Sequence, residues 1–467
     1  MKTPECILAP SGPLNNKSTI GRERRFVVCK ARGGHIPPFG NPKNVLAGSL
    51  KFSMICPMKR LSNFFSIDSF RPTRLPFVLL ALISLGSHSS RSSADSNEPQ
   101  QPIQFKKILL TISANEGCAV TDVNRDGHLD VVAGRHWYAG PEYLPRILRH
   151  VEEFSDYLHS NGDLILDVNQ DGWPDVVSSS FHDQGVWWYE NPKGDSLMIG
   201  LLWKAHLLKK THGQNEVNFF QDIDGDGTPE LVVNRWKKNS PLNVYQFNAS
   251  GDSKTYSLRL HQLNSEGNDH GMGFGDINGD NRPDILSGMG WWERPHGNPL
   301  QNKWKFHADW TLGGASCPMI VKDLNQDGRN DVIWGKGHDF GLYWREQLEP
   351  SAEGKTQWKE HLIDDSYSQA HCLLESDLDG DGKLELLTGK RVRAHSGKDP
   401  GGKDPSCLYY YKWDSMKQNY KRYLIDEGGG IGIGLQIRTR DMNKDGKMDI
   451  IVGGKSGTWV LLNQGRS

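Results

Sequence analysis

The stretch DVNRDGHLD, residues 122–130, places four side-chain oxygen donors within nine positions. Acidic or amide side chains stand at positions 1, 3, 5 and 9, and a glycine at position 6 allows a sharp turn. If the chain curls here, these oxygens and the backbone carbonyl of position 7 surround one point, which is the hard-oxygen environment that Ca²⁺ prefers. The stretch therefore predicts a calcium-binding turn between two strands.

The same nine-residue pattern occurs seven times in the chain. Its copies span residues 122–130, 167–175, 222–230, 276–284, 323–331, 377–385 and 441–449, and their first aspartates lie 45, 55, 54, 47, 54 and 64 residues apart. A repeat period of about fifty residues is typical of a propeller or a solenoid, in which each repeat is one supersecondary unit. No position-12 glutamate or helix follows the pattern, so the loops are not EF-hands.

We expect each copy to use positions 1, 3, 5 and 9 to bind a structural Ca²⁺, which would neutralise the clustered carboxylates. These predicted metal ligands are Asp122, Asn124, Asp126, Asp130, Asp167, Asn169, Asp171, Asp175, Asp222, Asp224, Asp226, Glu230, Asp276, Asn278, Asp280, Asp284, Asp323, Asn325, Asp327, Asp331, Asp377, Asp379, Asp381, Glu385, Asp441, Asn443, Asp445 and Asp449.

The segments around each loop read as four short strands. A β-rich run precedes the loop, an apolar run such as VIWG follows it, and runs such as LYWRE (342–346) and QWKEHLI (357–363) come next. Four strands make one propeller blade, so the sequence predicts an all-β, seven-bladed β-propeller over residues 104–465. The run QFKKILL (104–110) resembles a fourth strand without its first three, and the last repeat lacks a fourth strand. We expect this N-terminal strand to complete the last blade and remove two exposed edges.

The first hundred residues have the features of a targeting region. Basic residues after Met58, the apolar run LPFVLLALISLG (75–86) and the small residues SSA (92–94) together form a secretory signal pattern. We expect residues 58–94 to be a signal peptide and residues 95–103 a linker, which predicts a secreted or periplasmic protein. Residues 1–57 are interpreted as a misassigned extension; the alternative is an unusually long basic region before the signal.

The composition argues against two classes of partner. The formal net charge is −1, so no overall field favours nucleic acid or a membrane surface, and no apolar run is long enough for a membrane span. The cysteines at 118, 317, 372 and 407 show no CxxC or other metal spacing, and we expect buried free thiols. The sequence gives no oligomeric state.

The repeats resemble the FG-GAP/VCBS repeat family over residues 105–465. The segments GRHWYAGPE (134–142), GVWWYENP (185–192), 368–391 and 432–457 also look like secreted bacterial propellers that are similar to the propeller domain of aldos-2-ulose dehydratase/isomerase. This resemblance implies metal-assisted elimination of water from ketosugars, with a histidine as proton acceptor. It assigns no individual residue of this chain.

The register of the repeats selects candidate site residues on the face opposite the loops. Six residues before each first aspartate stand Glu116, Asn161, Glu216, His270, Cys317, His371 and Leu435, and thirteen residues after it stand Arg135, Ser180, Arg235, Met289, Lys336, Lys390 and Gly454. Both rings are mostly polar, and several histidines lie beside them. Convergent titratable groups of this kind are typical of binding sites.

We expect catalytic or metal-binding roles for His270, His371, His338, Lys390 and Arg391, and substrate-binding roles for His136, His159, His182, Arg135, Arg235, Lys336, Glu116 and Glu216. The predicted function is that of a carbohydrate-active lyase or dehydratase, in which an imidazole removes a proton and a cationic residue or a His-bound divalent metal such as Zn²⁺ stabilises the resulting charge. The alternative is a non-catalytic propeller that binds a glycan or a protein through the same face. For any single histidine, a solvated or hydrogen-bonded structural role is the simpler interpretation.

Overall fold

The strands follow one another as antiparallel meanders in a computed structural model that describes residues 101–155, 157–181, 185–211, 215–249 and 256–466. The predicted extension, signal peptide and start of the linker lie outside these residues. Sheets and a few short turns account for nearly all of the regular structure, because strand-forming runs alternate with glycine- and aspartate-rich loops. No helix of the described part of the chain is long and apolar enough to cross a membrane.

In chain order, the strands begin with β1 (Ile103–Thr111), β2 (Ala119–Thr121), β3 (Asp130–Ala133), β4 (His136–Ala139), β5 (Leu144–Ile147), β6 (Glu153–Phe154), β7 (Tyr157–Leu158), β8 (Gly162–Leu166), β9 (Asp175–Ser179), β10 (Gly185–Glu190), β11 (Lys204–Lys210), β12 (Asn218–Gln221), β13 (Glu230–Val233), β14 (Ser240–Ala249) and β15 (Tyr256–Asn268). They continue as β16 (Met272–Gly275), β17 (Asp284–Ser287), β18 (Gly290–Glu293), β19 (Lys305–His307), β20 (Met319–Lys322), β21 (Asp331–Gly335), β22 (Phe340–Leu348), β23 (Gln357–Ser368), β24 (Leu374–Ser376), β25 (Glu385–Gly389), β26 (Cys407–Asp414), β27 (Asn419–Glu427), β28 (Ile437–Arg440), β29 (Asp449–Gly454) and β30 (Gly457–Arg466).

Two short helices interrupt this pattern. The helix α1 (Gly194–Met198) lies between β10 and β11, and a 3-10 helix (Ala394–Gly397) lies between β25 and β26. The 3-10 helix lies in the long connection that spans residues 390–406.

The described strands form five four-stranded sheets, one eight-stranded sheet and the two-stranded ribbon β6–β7. The four-stranded sheets have the orders β2-β3-β4-β5, β8-β9-β10-β11, β12-β13-β14-β15, β24-β25-β26-β27 and β28-β29-β30-β1. The eight-stranded sheet contains two meanders, β16–β19 and β20–β23, joined by a short parallel pairing of β16 with β20. The arrangement is all-β and propeller-like.

The N-terminal strand β1 pairs with the C-terminal strand β30. Their antiparallel register runs from Ile103 opposite Arg466 to Thr111 opposite Thr458. The last sheet also packs against the first, because Ile451 and Val460 share a buried apolar cluster with Val131. Apolar clusters join consecutive sheets in the same way elsewhere, as where Trp137 packs with Val176. The core therefore lies between the sheets.

A buried carboxylate at position 9 fixes every loop. Its oxygen accepts a hydrogen bond from the backbone N–H of the second loop residue in all seven copies, as Asp331 does from Leu324 at 3.1 Å. Where position 9 is aspartate, the other oxygen accepts an N–H from the end of the third strand or from the residue directly after it, such as that of Gln347 at 2.9 Å. One side chain thus ties the turn to two strands.

Positions 1, 3 and 5 behave differently, because these residues are half-buried or exposed, although the side chain of Asp379 is only 3% exposed. In the first loop, Asp122 accepts the N–H groups of Asp126 and Gly127, and Asn124 accepts that of Asp126. These bonds curl the loop as the sequence predicted, with glycine 127 in the left-handed region at a φ of 85°. The binding of calcium by these positions and by the position-9 carboxylates stays a prediction.

The four described cysteines are free and buried, as predicted. Burial raises the pKa of the Cys118 thiol to about 12 and that of the Cys372 thiol to about 11. Thiols of this kind act as small apolar core groups.

The substitution Asp331→Ala tests the role of the position-9 carboxylate. It leaves two buried N–H groups without an acceptor, so we expect a loss of about 2–6 kcal/mol in the free energy of unfolding, measured in urea with chelator present. The matched control is Asp327→Ala in the same loop, where the carboxylate is exposed and the expected loss is below about 1 kcal/mol. Equal losses for the two variants would contradict the assigned role.

Candidate metal centre and adjoining cavity

Three imidazoles and one carboxylate converge at a single point. Nε2 of His270 lies 2.9 Å from Nε2 of His338 and 3.1 Å from Nε2 of His371. Oε1 of Glu216 lies 3.7 Å from the first and 3.5 Å from the last of these histidines. One donor atom from each of the four residues lies within 4.8 Å of all the others. We call these four residues the His-Glu centre.

The repeat register explains most of this convergence. Glu216, His270 and His371 each stand just before the first strand of their sheet, β12, β16 and β24 respectively. His338 comes from the connection between β21 and β22. In a propeller-like fold, equivalent positions of different sheets approach one another near the axis. Side chains at the same position of the repeat therefore lie close together.

Backbone and side-chain contacts hold the centre in place. Asn161 donates its amide to the backbone carbonyls of Asn215 and Glu216, at 2.9 and 3.0 Å. Gly337 packs against the imidazoles so closely that a Cβ atom there would lie 2.7 Å from Cδ2 of His371. Residue 337 therefore has to be glycine for this ring arrangement to fit.

Hydrogen bonds on the far side of two rings determine where their protons lie. Nδ1 of His270 donates to the carbonyl oxygen of Ala315 at 2.8 Å, and Nδ1 of His338 donates to Oδ2 of Asp399 at 2.8 Å. A neutral imidazole with its proton on Nδ1 has a lone pair on Nε2. The two Nε2 atoms thus direct lone pairs at each other across 2.9 Å.

Burial keeps two of the rings, those of His338 and His371, neutral. It lowers the pKa of His338 to about 4 and that of His371 well below the usual value, with nearby Arg391 adding to the effect on His371. Nδ1 of His371 is buried and has no hydrogen-bond partner among the described residues. Facing lone pairs beside a carboxylate are repulsive, and a cation at their meeting point removes that repulsion.

The donor set fits a divalent transition metal. Imidazole nitrogens with one carboxylate oxygen are the ligands that Zn²⁺ and similar borderline ions take, usually at about 2.0–2.2 Å. The Asp399–His338 pair is also the carboxylate–histidine arrangement that orients metal ligands in other proteins. His270, His338, His371 and Glu216 are therefore able to hold one such ion.

A cavity of about 290 Å³ adjoins the centre through Glu216. Its lining combines charged side chains, including Glu116, Arg391 and Lys398, with the aromatic rings of Phe154, Tyr157 and Phe181. This volume is near the lower end for small-molecule sites, so the cavity suits a ligand of few atoms.

A buried ion cluster forms one wall of the cavity. Oε1 of Glu116 accepts hydrogen bonds from Nη2 and Nε of Arg391, at 2.7 and 3.2 Å. Nζ of Lys455 lies 3.1 Å from the same oxygen and 4.2 Å from the centroid of the Tyr157 ring. Burial lowers the pKa of Lys455 to about 8. Two cations share one carboxylate, so the wall carries positive charge.

A second carboxylate joins the centre to the cavity. Asp399 binds Nδ1 of His338 through Oδ2 and Nδ1 of His395 through Oδ1, the latter at 2.7 Å. The rings of His338 and His395 stack with centroids 4.5 Å apart. His395 is 64% exposed at its side chain and lines the cavity. Because its Nδ1 holds the proton, its Nε2 has a lone pair available to a bound molecule.

The structure brings together the central residues that the sequence selected. His270, His371 and His338 share one site with Glu216, and Arg391 and Glu116 lie beside it. Lys390 does not line the cavity, because its amine is buried against Oε1 of Gln369 at 3.5 Å and the carbonyl of Arg391 at 3.1 Å.

Several predicted substrate-binding residues lie outside the lining of this cavity. Arg135 donates to the carbonyl of Val151, Lys336 lies 3.6 Å from Asp339, and His159 lines a separate cavity of about 500 Å³. His136 and Arg235 are half-buried and likewise do not belong to the lining. Arg135, His136, Arg235 and Lys336 follow the second strand of their sheets, where connections diverge in length, so the register no longer fixes them. His159 instead lies between β7 and β8. His182 is outside the described residues.

Sequence reasoning missed His395, Asp399, Lys455 and Tyr157. The first two lie in the connection from β25 to β26, which spans residues 390–406, whereas only residues 134–135 separate β3 from β4. An alignment of the repeats shows that this connection is much longer than its counterparts. Loops of such length are usually functional, so this difference could have pointed to the site.

Metal analysis of the purified protein tests the centre. We expect about one equivalent of a divalent transition metal, retained at pH 5.5 and released as the pH falls toward 4, because a protonated imidazole cannot ligate. This release pH lies below the usual histidine pKa of about 6.5, because burial lowers the pKa of His338 and of His371. His371→Ala should lose the metal, while His206→Ala, which removes a histidine stacked on Trp188, should keep it. Full metal content in the first variant would contradict the assignment.

Comparison with known proteins supports the repeat. A family model described as FG-GAP-like repeat matches residues 222–287. Among solved structures, the exotype rhamnogalacturonan lyase YesX is 11% identical, with a TM-score of 0.43 and coverage of 79% of this chain and 75% of that one. A Tc holotoxin pore from Photorhabdus luminescens is 14% identical, with a TM-score of 0.30 and coverage of 71% of this chain and 16% of that one. No curated protein matches the chain. The FG-GAP match confirms the predicted repeat over residues 222–287, which contain loop 222–230 and strands β13 to β17.

Proposed function

We propose that this chain is a metal-dependent carbon–oxygen lyase that eliminates water or an alcohol from a small acidic or oxidised sugar. The observation that carries the proposal is the convergence of His270, His338, His371 and Glu216 beside a cavity with a basic wall. Buried neutral imidazoles with facing lone pairs are costly to assemble without a ligand, and clusters of this kind occur at functional sites.

The cavity binds the substrate through charge. Arg391 and Lys398 lie in its lining, and Lys455 lies behind Glu116, so a carboxylate or an enolate-like oxygen finds cations on one side. A metal bound at the His-Glu centre would act as a Lewis acid toward a carbonyl or carboxylate oxygen. Preorganised charge of this kind stabilises the negative charge that develops when the adjacent carbon loses its proton.

His395 is the proposed base. Asp399 holds its Nδ1–H at 2.7 Å and leaves Nε2 free to take the proton from the carbon next to the acidic or carbonyl group. The electrons of that C–H bond form a carbon–carbon double bond, and the C–O bond to the leaving group breaks. The leaving oxygen takes the bonding pair and the proton that His395 removed, which releases water or an alcohol and returns His395 to its starting state.

We also propose that the ring has seven blades and is closed by the N-terminal strand. The eight-stranded sheet then counts as two blades whose first strands, β16 and β20, touch. The pairing of β1 with β30 and the apolar cluster shared by the first and last sheets support this closure. The signal pattern of residues 58–94 supports a secreted or periplasmic location.

Calcium is proposed as the structural ion of the loops. In loop 222–230, oxygens of Asp222, Asp224 and Glu230 lie within 4.8 Å of one another, which fits one ion bound by hard oxygens. In the loops that have aspartate at position 9, the side chains at positions 1, 3 and 5 are left to bind the ion. Both oxygens of the position-9 aspartate already accept backbone N–H groups.

A non-catalytic glycan-binding role is the second candidate. Phe154 is 60% exposed and lines the cavity, and Trp236 is 45% exposed with its ring 6.2 Å from that of Phe181. Exposed aromatic rings beside a cavity can stack on sugar rings. By contrast, the tryptophans at 137, 291 and 292 are buried between the sheets.

Turnover assays with His395→Gln test the proposed base. On a ketosugar or uronic acid substrate that the purified protein converts, we expect kcat to fall about 10²–10⁴-fold while metal content stays unchanged. The control His296→Gln changes an exposed histidine outside the cavity lining and should keep full turnover. Unchanged turnover in the first variant would exclude His395 as the base. Sugar binding without turnover in the wild type would favour the glycan-binding role.

Thermal melting across pH tests the calcium proposal. Burial raises the pKa of Glu230, one of the converging carboxylates of loop 222–230, to about 7, so without metal this group stabilises the fold most at low pH. That contribution is lost as the pH rises from about 4 through 7. Calcium binds ionised carboxylates, so we expect the difference in Tm between calcium and chelator to grow from pH 5.5 to pH 8. If the Tm at pH 8 is the same in calcium and in chelator, the calcium proposal is wrong.

A further inference from the structure

The loop 377–385 already contains a cation that belongs to the chain. Nζ of Lys412 contacts three of its acidic side chains: Asp379, Asp381 at 2.9 Å and Glu385 at 3.2 Å. These residues occupy positions 3, 5 and 9 of the loop, which are the positions expected to bind calcium. The ammonium group therefore stands where the ion would be.

The carboxylates around Lys412 need a positive charge. The Asp379 side chain is 3% exposed and that of Glu385 is 1% exposed. Oδ1 of the former has no hydrogen-bond partner among the described residues, and Oε1 of the latter is the atom that lies 3.2 Å from Nζ of Lys412. Burying carboxylates without compensation is costly, so a cation at this point is a requirement of the fold. Lys412 meets that requirement, and the Arg466 guanidinium adds a second contact to Asp379.

Strand pairing explains why Lys412 reaches the loop. Leu386 of β25 pairs with Tyr411 of β26, which places the next residue, Lys412, beside the position-9 residue Glu385. The same pairing rule identifies the equivalent residue in the other sheets. These equivalents are Ala139, Glu190, Gln246, Glu293, Glu346 and Leu462. Among the described sheets, lysine occupies this position in one alone.

Loop 222–230 is the natural counterpart of loop 377–385. The two loops, DIDGDGTPE and DLDGDGKLE, share aspartate at positions 1, 3 and 5, glycine at 4 and 6, and glutamate at 9. In the first, Gln246 takes the place of Lys412, and its amide lies 3.5 Å from Oδ2 of Asp224. No cationic side chain of the described residues forms an ion pair with Asp222, Asp224 or Glu230, and their oxygens converge within 4.8 Å.

We propose that Lys412 is the permanent cation of loop 377–385, so that this loop forms without calcium, while loop 222–230 binds the ion from solution. The third-strand residue beside position 9 is then the specificity determinant: lysine closes the loop internally, and glutamine leaves the site for a hard divalent cation. This inference rests on the proposed calcium role of the loops. It adds that loop 222–230 binds calcium and that loop 377–385 does not need it.

Reciprocal exchange of the two residues tests the inference. Calcium binding is counted by isothermal titration of the full chain after chelation, for the wild type, Lys412→Gln and Gln246→Lys. We expect the first variant to bind one more equivalent than the wild type and the second to bind one fewer. In chelator, Lys412→Gln should also lose more thermal stability than Gln246→Lys, because its loop has lost its only fixed ammonium group.

The outcomes separate the two proposals. If the wild type binds calcium, and Lys412→Gln gains no site and melts in chelator like the wild type, the inference is wrong while the calcium role stands. If neither the wild type nor Lys412→Gln binds calcium, the calcium role itself is wrong. Should Lys412→Gln be too unstable to purify without calcium, its rescue by added calcium but not by magnesium would support the inference, and failure of both ions to rescue it would overturn it.

Discussion

The buried carboxylate at position 9 of each loop is the constraint on which the rest of the structure depends. It accepts a hydrogen bond from the second loop residue in every repeat, and most copies also accept one from the end of the third strand or from the residue directly after it. A buried acceptor that satisfies two backbone donors fixes the turn far more firmly than an exposed charge pair would. Because the turn is fixed, the starting points of the first strands are fixed as well.

The candidate site follows from that repetition. Residues just before the first strands lie close together near the axis. The same position of the repeat is a carboxylate at 116 and 216 and an imidazole at 270 and 371, so different functional groups converge there. Burial keeps the imidazoles of His338 and His371 neutral, and hydrogen bonds on Nδ1 of His270 and His338 direct the Nε2 atoms of these two rings inward. The fold supplies a regular frame, and irregular connections such as residues 390–406 supply further titratable side chains around it.

The same physical logic explains how much the sequence could predict. The nine-residue pattern was sufficient for the loop geometry and the strand order, because its hydrogen bonds are local. Register counting found Glu216, His270 and His371, which lie at equivalent positions, and it failed for Arg135 and Lys336, where the chain leaves the common path. His395 and Asp399 depend on the path of one long connection, and Lys412 depends on strand pairing with a loop 27 residues earlier. Those contacts are tertiary, and no local pattern encodes them.

The central claim is that His270, His338, His371 and Glu216 hold one divalent metal. Anomalous diffraction at the zinc edge, from crystals grown with one equivalent of Zn²⁺, measures this directly. We predict a single strong peak at the centre, about 2.0–2.2 Å from the three Nε2 atoms. Crystals that show no peak there, with the Nε2 atoms still 2.9–3.1 Å apart, would contradict the claim.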